Sequence, residues 1–221
     1  MRHFFIYIVI YSSLFSYNNE FSFNESVGDK INLSHTPQFI EIEGGYTRLT
    51  KLGDGHTIDP GMPEIPQFTT YFQLEPSKTY EFELVINDSY VIEDITILPH
   101  QGMDNWEVEV VSIIDEEIYN SFEPVPQNNL VVSERIQGRG IEFVSINVTP
   151  YKYYPKYNRL EIYTSIDIDV KETGENQYYE LNQTKRSHIF DEFYKDFIVN
   201  FTYSDRTEDY QASAILYITG G

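Results

Sequence analysis

An alternation of apolar and polar side chains over residues 159–170 constrains the fold of this chain more than any other feature. One face of the segment would carry Leu160, Ile162, Ile166, Ile168 and Val170, and the other Arg159, Glu161, Asp167 and Asp169. Because successive side chains of a strand point to opposite faces, this period of two predicts a strand with one buried face. Residues 79–86 repeat the pattern.

Further short strands are predicted along the middle of the chain, at residues 39–43, 46–50, 68–74, 91–98, 106–111 and 141–149. Turn-forming residues separate them, at Gly44-Gly45, Gly53-Asp54-Gly55, Pro60-Gly61, Asn87-Asp88, His100-Gln101-Gly102 and Tyr157-Asn158. Strands at this spacing, without long helical patterns between them, predict an all-β fold, an antiparallel β-sandwich or jelly roll.

Composition narrows the function classes. The chain of 221 residues has 19 Tyr and 15 Phe, which favour strands, and its 41% hydrophobic residues suffice for a core. The absence of Cys excludes disulfides, zinc–thiolate sites and a cysteine nucleophile within these residues. A net charge of −20 argues against nucleic acid and anionic membranes as partners. No G-x-S-x-G, H-E-x-x-H or EF-hand motif occurs, so no motif of these kinds predicts a catalytic or metal-binding residue.

The chain divides into successive segments. Residues 1–16 are predicted to be a signal peptide, because Arg2 and His3 precede an apolar run at 4–15 that is too short to span a bilayer; a buried strand is the alternative. Residues 17–37 are predicted to form a leader, residues 38–171 the sandwich, and residues 172–211 a linker with a short helix from Ser187 to about Asn200.

Residues 212–221 end the chain with an apolar stretch at 214–218, typical of a strand buried on both faces in a parallel sheet. Such a strand needs neighbours. We therefore expect the chain to be the front part of a longer protein that is interrupted just inside an α/β domain. We expect this protein to be bacterial and exported, and to be located outside the cell or at its surface.

Several motifs in order resemble the propeptides of gingipain-type secreted cysteine peptidases. Residues 61–66 (GMPEIP), with Gly61, Pro63, Glu64 and Pro66, are similar to the family's G-x-P-E-L-P motif. The family's later motifs are matched by residues 72–76, by Gly138-Arg139-Gly140, by residues 148–155 with Pro150, Tyr153 and Pro155, by residues 160–163, by the helix and tail at 193–203, and by the strand at 215–219. The resemblance runs from about residue 38 to the end.

This resemblance implies a β-sandwich that covers the active-site cleft of a caspase-like peptidase domain in the same precursor and keeps that domain latent. It implies that the parent is a cysteine endopeptidase, whereas this chain, without Cys, is not itself an enzyme. Propeptides of the family can place a basic side chain in the peptidase cleft. Arg139, between two glycines, is the first candidate and Arg135 the second; an ordinary surface arginine is the alternative.

Other readings of single residues remain open. Lys185-Arg186 and Arg206 lie in polar stretches where a protease could cut, or are plain linker charges. Calcium could bind at Asp54, Asp59 and Glu64, or at residues 115–117, although solvated acidic loops are favoured and no cofactor is expected. A stand-alone sandwich that binds carbohydrate or protein is the alternative function, and it predicts exposed aromatic rings at Tyr151, Tyr153, Tyr154 and Tyr157.

Overall fold

The computed structural model describes residues 20–24, 29–42, 44–49, 55–102, 111–178 and 184–212. Its strands are β1 (Glu20–Asn24), β2 (Lys30–Ser34), β3 (Phe39–Ile42), β4 (Tyr46–Leu49), β5 (Gly55–His56), β6 (Pro66–Leu74), β7 (Lys78–Ile92), β8 (Leu130–Val132), β9 (Ile136–Gln137), β10 (Glu142–Val148), β11 (Tyr151–Tyr154) and β12 (Arg159–Glu175). The described helices are α1 (Glu116–Tyr119) and α2 (His188–Tyr194), with 3-10 turns at Pro155–Tyr157 and Thr207–Asp209.

The strands pair antiparallel in two sheets and a hairpin. The first sheet has the order β1-β2-β12-β11, and β7 pairs with the opposite edge of β12. The second sheet has the order β5-β6-β10-β8, with β9 also paired to β10, while β3 and β4 form the hairpin. The predicted antiparallel all-β fold is confirmed, and β12 is its central strand.

The two sheets face each other across a core built from the inward faces of β2, β12, β6 and β10. The alternation of β12 is confirmed, since its apolar residues are all buried, the last three of them in this core: Leu160, Ile162, Ile166, Ile168 and Val170. A second core cluster joins β4, β11 and the start of β12 to Ile65, Ile95 and Ile97. A third joins β10 to the segment that follows β12, through Ile141, Phe143, Tyr194 and Ile198.

Two segments differ from the predictions on the N-terminal side. The loose leader expected at 17–37 is wrong for its second half, because β2 pairs with both β1 and β12 and buries Ile31 and Leu33 in the main core. Strand β7 runs through the turn predicted at Asn87-Asp88, and its register with β12 shifts on both sides of the Asp88–Ser165 pair, in opposite directions. The strand predicted at 91–98 ends at Ile92.

The C-terminal linker is also more ordered than predicted. Strand β12 continues to Glu175, and residues 184–212, which we call the C-terminal arm, pack on the sandwich. Helix α2 begins after Ser187, as predicted, but it ends at Tyr194 and Ser187 makes no side-chain capping bond. The predicted signal peptide at 1–16 and, apart from residues 111 and 212, the predicted strands at 106–111 and 212–221 lie outside the described residues.

Candidate functional site

Arg139 projects from a short loop between β9 and β10, residues 138–140, which we call the Arg139 loop. The side chain is exposed. Its Nη2 donates to Oε1 of Gln211 at 2.9 Å, and its guanidinium lies 5.6 Å from the ring centroid of Phe190. These partners are a neutral amide and an aromatic ring, so the charged fork can exchange them for a carboxylate, which it would hold through two parallel bonds.

Arg135, the second candidate, is half-buried and tied into the sandwich. Its Nη1 donates to Oε2 of the buried Glu142 at 2.8 Å, and its Nη2 donates to the Lys78 carbonyl oxygen. Moving this guanidinium into another protein would leave the buried Glu142 carboxylate without its cation, which is costly. The structure therefore distinguishes the two candidates, because the Arg139 side chain is exposed whereas that of Arg135 is paired with a buried carboxylate.

The C-terminal arm is anchored by a buried group that we call the arm cluster: Arg186, Asp191 and Tyr210. Arg186 Nη2 and Asp191 Oδ2 are 3.1 Å apart, and Tyr210 Oη donates to the same carboxylate oxygen at 2.7 Å. The expectation that Arg186 lies in an open linker is wrong, because its charge is paired inside the protein. Arg206 is exposed, with its Nε 3.0 Å from Glu208 Oε1, so it is the accessible one of the two cleavage candidates.

The arm closes directly over the Arg139 loop. Tyr194 Oη accepts a hydrogen bond from the backbone N–H of Arg139 at 2.9 Å. Gly140 has φ of +78°, and a Cβ atom there would lie 2.6–2.8 Å from atoms of Arg186, so only glycine fits between loop and arm. The backbone of the Arg139 loop is thereby fixed while its guanidinium stays at the surface.

The arm also covers the free edge of β6. Val199 donates from its backbone N–H to the Tyr71 carbonyl oxygen at 2.9 Å. The Asn200 side chain accepts from the Gln73 N–H at 2.6 Å and donates to its carbonyl oxygen at 3.0 Å, as a neighbouring strand would. The arm therefore supplies hydrogen bonds that an edge strand otherwise lacks.

The GMPEIP motif serves the fold through a second buried group, the motif cluster: Arg48, Glu64 and His100. Glu64 Oε1 lies 3.5 Å from Arg48 Nε, and its Oε2 lies 3.3 Å from His100 Nδ1. Gly61 has φ of +88° and a Cβ there would meet the Asp115 backbone nitrogen at 2.8 Å. Both features hold this segment against the rest of the sandwich, which we call the body.

The prolines and the later motif have structural contacts too. Pro63 bridges to Pro99, and Pro66 begins β6. Pro150 accepts a backbone bond from Tyr163 at 2.9 Å, and Pro155 opens a 3-10 turn. Tyr153 is fully buried, and burial raises its pKa to about 12.

The other predicted sites are only partly brought together. Tyr151 and Tyr153 are buried, so the exposed aromatic platform expected of a binding module is not formed by them. Asp115 caps α1, with its Oδ1 accepting from the N–H groups of Glu117 and Ile118, and Asp54 lies outside the described residues. Among the described residues no three acidic or histidine side chains gather as a metal site would need.

Sequence reasoning missed the arm residues that hold the loop. Asp191 and Tyr194 lie in a short helix, and a carboxylate in the first turn of a helix is already explained by its favourable interaction with the helix dipole. Tyr210 and Gln211 lie in a polar stretch. The nearest signal is the pair of glycines around Arg139, since a close approach or a positive φ needs glycine. No helix among the described residues has the length and apolar character needed to cross a bilayer.

Comparison with known proteins identifies the family. The Propeptide_C25 family model matches residues 30–207. Gingipain R1 of Porphyromonas gingivalis is 23% identical over 169 residues, which cover 74% of this chain but 17% of that protein. Gingipain R2 of the same species is 22% identical over 171 residues, covering 74% of this chain and 23% of that protein. The chain thus spans a fifth or so of the curated relatives it matches.

Two solved structures share the fold. The complex of Porphyromonas gingivalis RgpB pro- and mature domains matches with a TM-score of 0.67 and 19% identity, over 83% of this chain and 99% of that chain. A structure on the zymogenic latency of gingipain K from the same species matches with a TM-score of 0.50 and 17% identity, over 69% and 91%. With a family model that covers most of its length, this chain belongs to the Propeptide_C25 family and is a propeptide of the gingipain type.

Proposed function

We propose that this propeptide keeps the cysteine peptidase domain of its own precursor latent, with the Arg139 guanidinium occupying the substrate cleft. The observation that carries the proposal is the contrast between a fixed backbone and a displaceable charge. The Arg139 N–H is held by Tyr194, whereas the guanidinium contacts Gln211 and Phe190. A preformed loop loses little conformational entropy on binding, and this raises affinity.

The position of the arm supports inhibition within one precursor. Gln211 hydrogen-bonds to Arg139, so a domain that follows the arm would begin beside the loop that inhibits it. A short tether gives the loop a high effective concentration at the cleft. On this proposal the parent is exported, and a cut at the exposed Arg206, not at the buried Arg186, separates the two domains.

Inhibition kinetics test the proposal. The full chain is added to the active peptidase domain of the same precursor, with a short substrate that carries arginine at the cleaved bond. We expect inhibition that is competitive with the substrate, because Arg139 and the substrate arginine need the same pocket. Inhibition that higher substrate concentrations do not relieve, or no inhibition at all, would contradict the proposal.

A further inference from the structure

Helix α2 has its faces reversed relative to an ordinary surface helix. Its inner face buries Asp191 and Tyr194, whereas Ile189, Phe190 and Phe193 are 81%, 41% and 63% exposed. A surface helix normally buries its apolar stripe, and neighbouring apolar side chains left in solvent mark sites of interaction. We call these three exposed residues the α2 patch.

The α2 patch is continuous with the Arg139 loop. The Arg139 guanidinium lies over the Phe190 ring, and the Phe193 ring packs 4.9 Å from the ring of Phe197, which joins the third core cluster. The rings of the patch are therefore held by the fold and need little ordering when a partner arrives. Helix α2 cannot rotate about its axis to bury the α2 patch, because that rotation would expose Asp191 and separate it from Arg186.

We propose that the α2 patch binds an apolar surface beside the substrate cleft of the same peptidase domain while Arg139 occupies the cleft; this rests on the function proposed above. The position of the arm supports this choice of partner. Gln211, in the arm, hydrogen-bonds to Arg139, so a peptidase domain that follows the arm in the same precursor would lie close to this face. On this proposal Arg139 blocks the substrate cleft, and the aromatic and aliphatic side chains buried around it increase the affinity by excluding water.

Binding and inhibition are measured separately to test this. The peptidase domain, with its nucleophile alkylated by iodoacetamide, is immobilised, and dissociation constants are measured for the full chain and for the Ile189→Ser/Phe193→Ser variant. We expect the variant to bind about tenfold or more weakly, mainly through faster dissociation. The matched control is Phe122→Ser/Tyr157→Ser, which removes two exposed rings, 63% and 58% accessible, that contact each other elsewhere. The control should bind like the original chain.

The outcomes separate this inference from the proposed function. If the original chain binds and inhibits but the Ile189→Ser/Phe193→Ser variant binds equally well, the α2 patch is not a contact and the latency proposal stands. If the original chain neither binds nor inhibits, the latency proposal fails. The single change Ile189→Glu, at the most exposed position, serves if the double variant does not fold; unchanged affinity for it would also overturn the inference.

Discussion

The motif cluster and the arm cluster are both buried, and each pairs an arginine with a carboxylate, but they join different parts of the propeptide. The motif cluster binds the Gly61–Pro66 segment to neighbours within the body of the sandwich. The arm cluster binds a segment after β12 to the loop that presents Arg139. The GMPEIP motif therefore marks contacts that build the fold, whereas the contacts that shape the candidate site come from the C-terminal arm.

Removing the Asp191 carboxylate from the arm cluster should detach the C-terminal arm and leave the body folded. Asp191→Ala leaves the Arg186 charge buried without its partner, which typically costs about 3–5 kcal/mol. We expect trypsin to cut rapidly after Lys185 and Arg186 in this variant, while the body resists. Asp196→Ala, at an exposed position just after α2, is the control and should leave the digestion pattern unchanged. Equal protection in both variants would show that the arm does not depend on the cluster.

Acid should destabilise the body, through His35 among other groups. His35 is packed against the rings of Phe68 and Tyr151, and burial lowers its pKa from 6.5 to about 4. Between these values the unfolded chain binds the proton more readily, so stability is full above pH 6.5 and falls as the pH drops towards 4. Between pH 6.5 and 4 this proton binding should lower the free energy of unfolding by roughly 3 kcal/mol. Urea unfolding of His35→Leu should show a correspondingly flatter pH dependence; an unchanged slope would contradict the assignment.

Adding a Cβ atom where the Arg139 loop meets the C-terminal arm should lower the free energy of unfolding by a smaller amount. Gly140→Ala combines positive-φ strain with a Cβ atom too near Arg186, whereas Gly45→Ala has a similar φ of +83° and no atom within 4 Å. We expect about 1 kcal/mol for Gly45→Ala and 1–3 kcal/mol more for Gly140→Ala, measured by denaturant unfolding. If the two variants are equally stable, the loop and the arm are not in contact as described.

The smallest change concerns a single hydroxyl group. Tyr194→Phe removes the acceptor of the Arg139 N–H and should cost about 1 kcal/mol locally. Hydrogen exchange at the Arg139 amide should speed up about fivefold, with the body unaffected. Tyr203→Phe, whose hydroxyl group donates to the exposed Glu192, is the control and should not change that amide.

The fold was more accessible from sequence than the site. The alternation in residues 159–170 predicts β12, because every second side chain of an amphipathic strand is apolar and this period is visible from neighbouring residues alone. Residues 30–34 and 184–212 were underestimated for a physical reason. Their charges and short apolar alternations look solvated along the chain, and only the folded structure brings Arg186 to Asp191 or Ile31 to β12. Arg139 was predicted from its flanking glycines, but its preference over Arg135 depends on Glu142, a contact across two strands.

Comparing inhibition by three arginine variants tests the account's central claim most directly. Arg139→Ala should raise the inhibition constant of the full chain against its peptidase domain by about 100-fold, since truncating one partner of a buried charge pair costs several kcal/mol. Arg139→Lys should restore part of that loss. Arg159→Ala is the matched control, because Arg159 also lies over an aromatic ring at the surface, that of Tyr154, and its removal should have no effect. An Arg139→Ala chain that inhibits as strongly as the original would contradict the account.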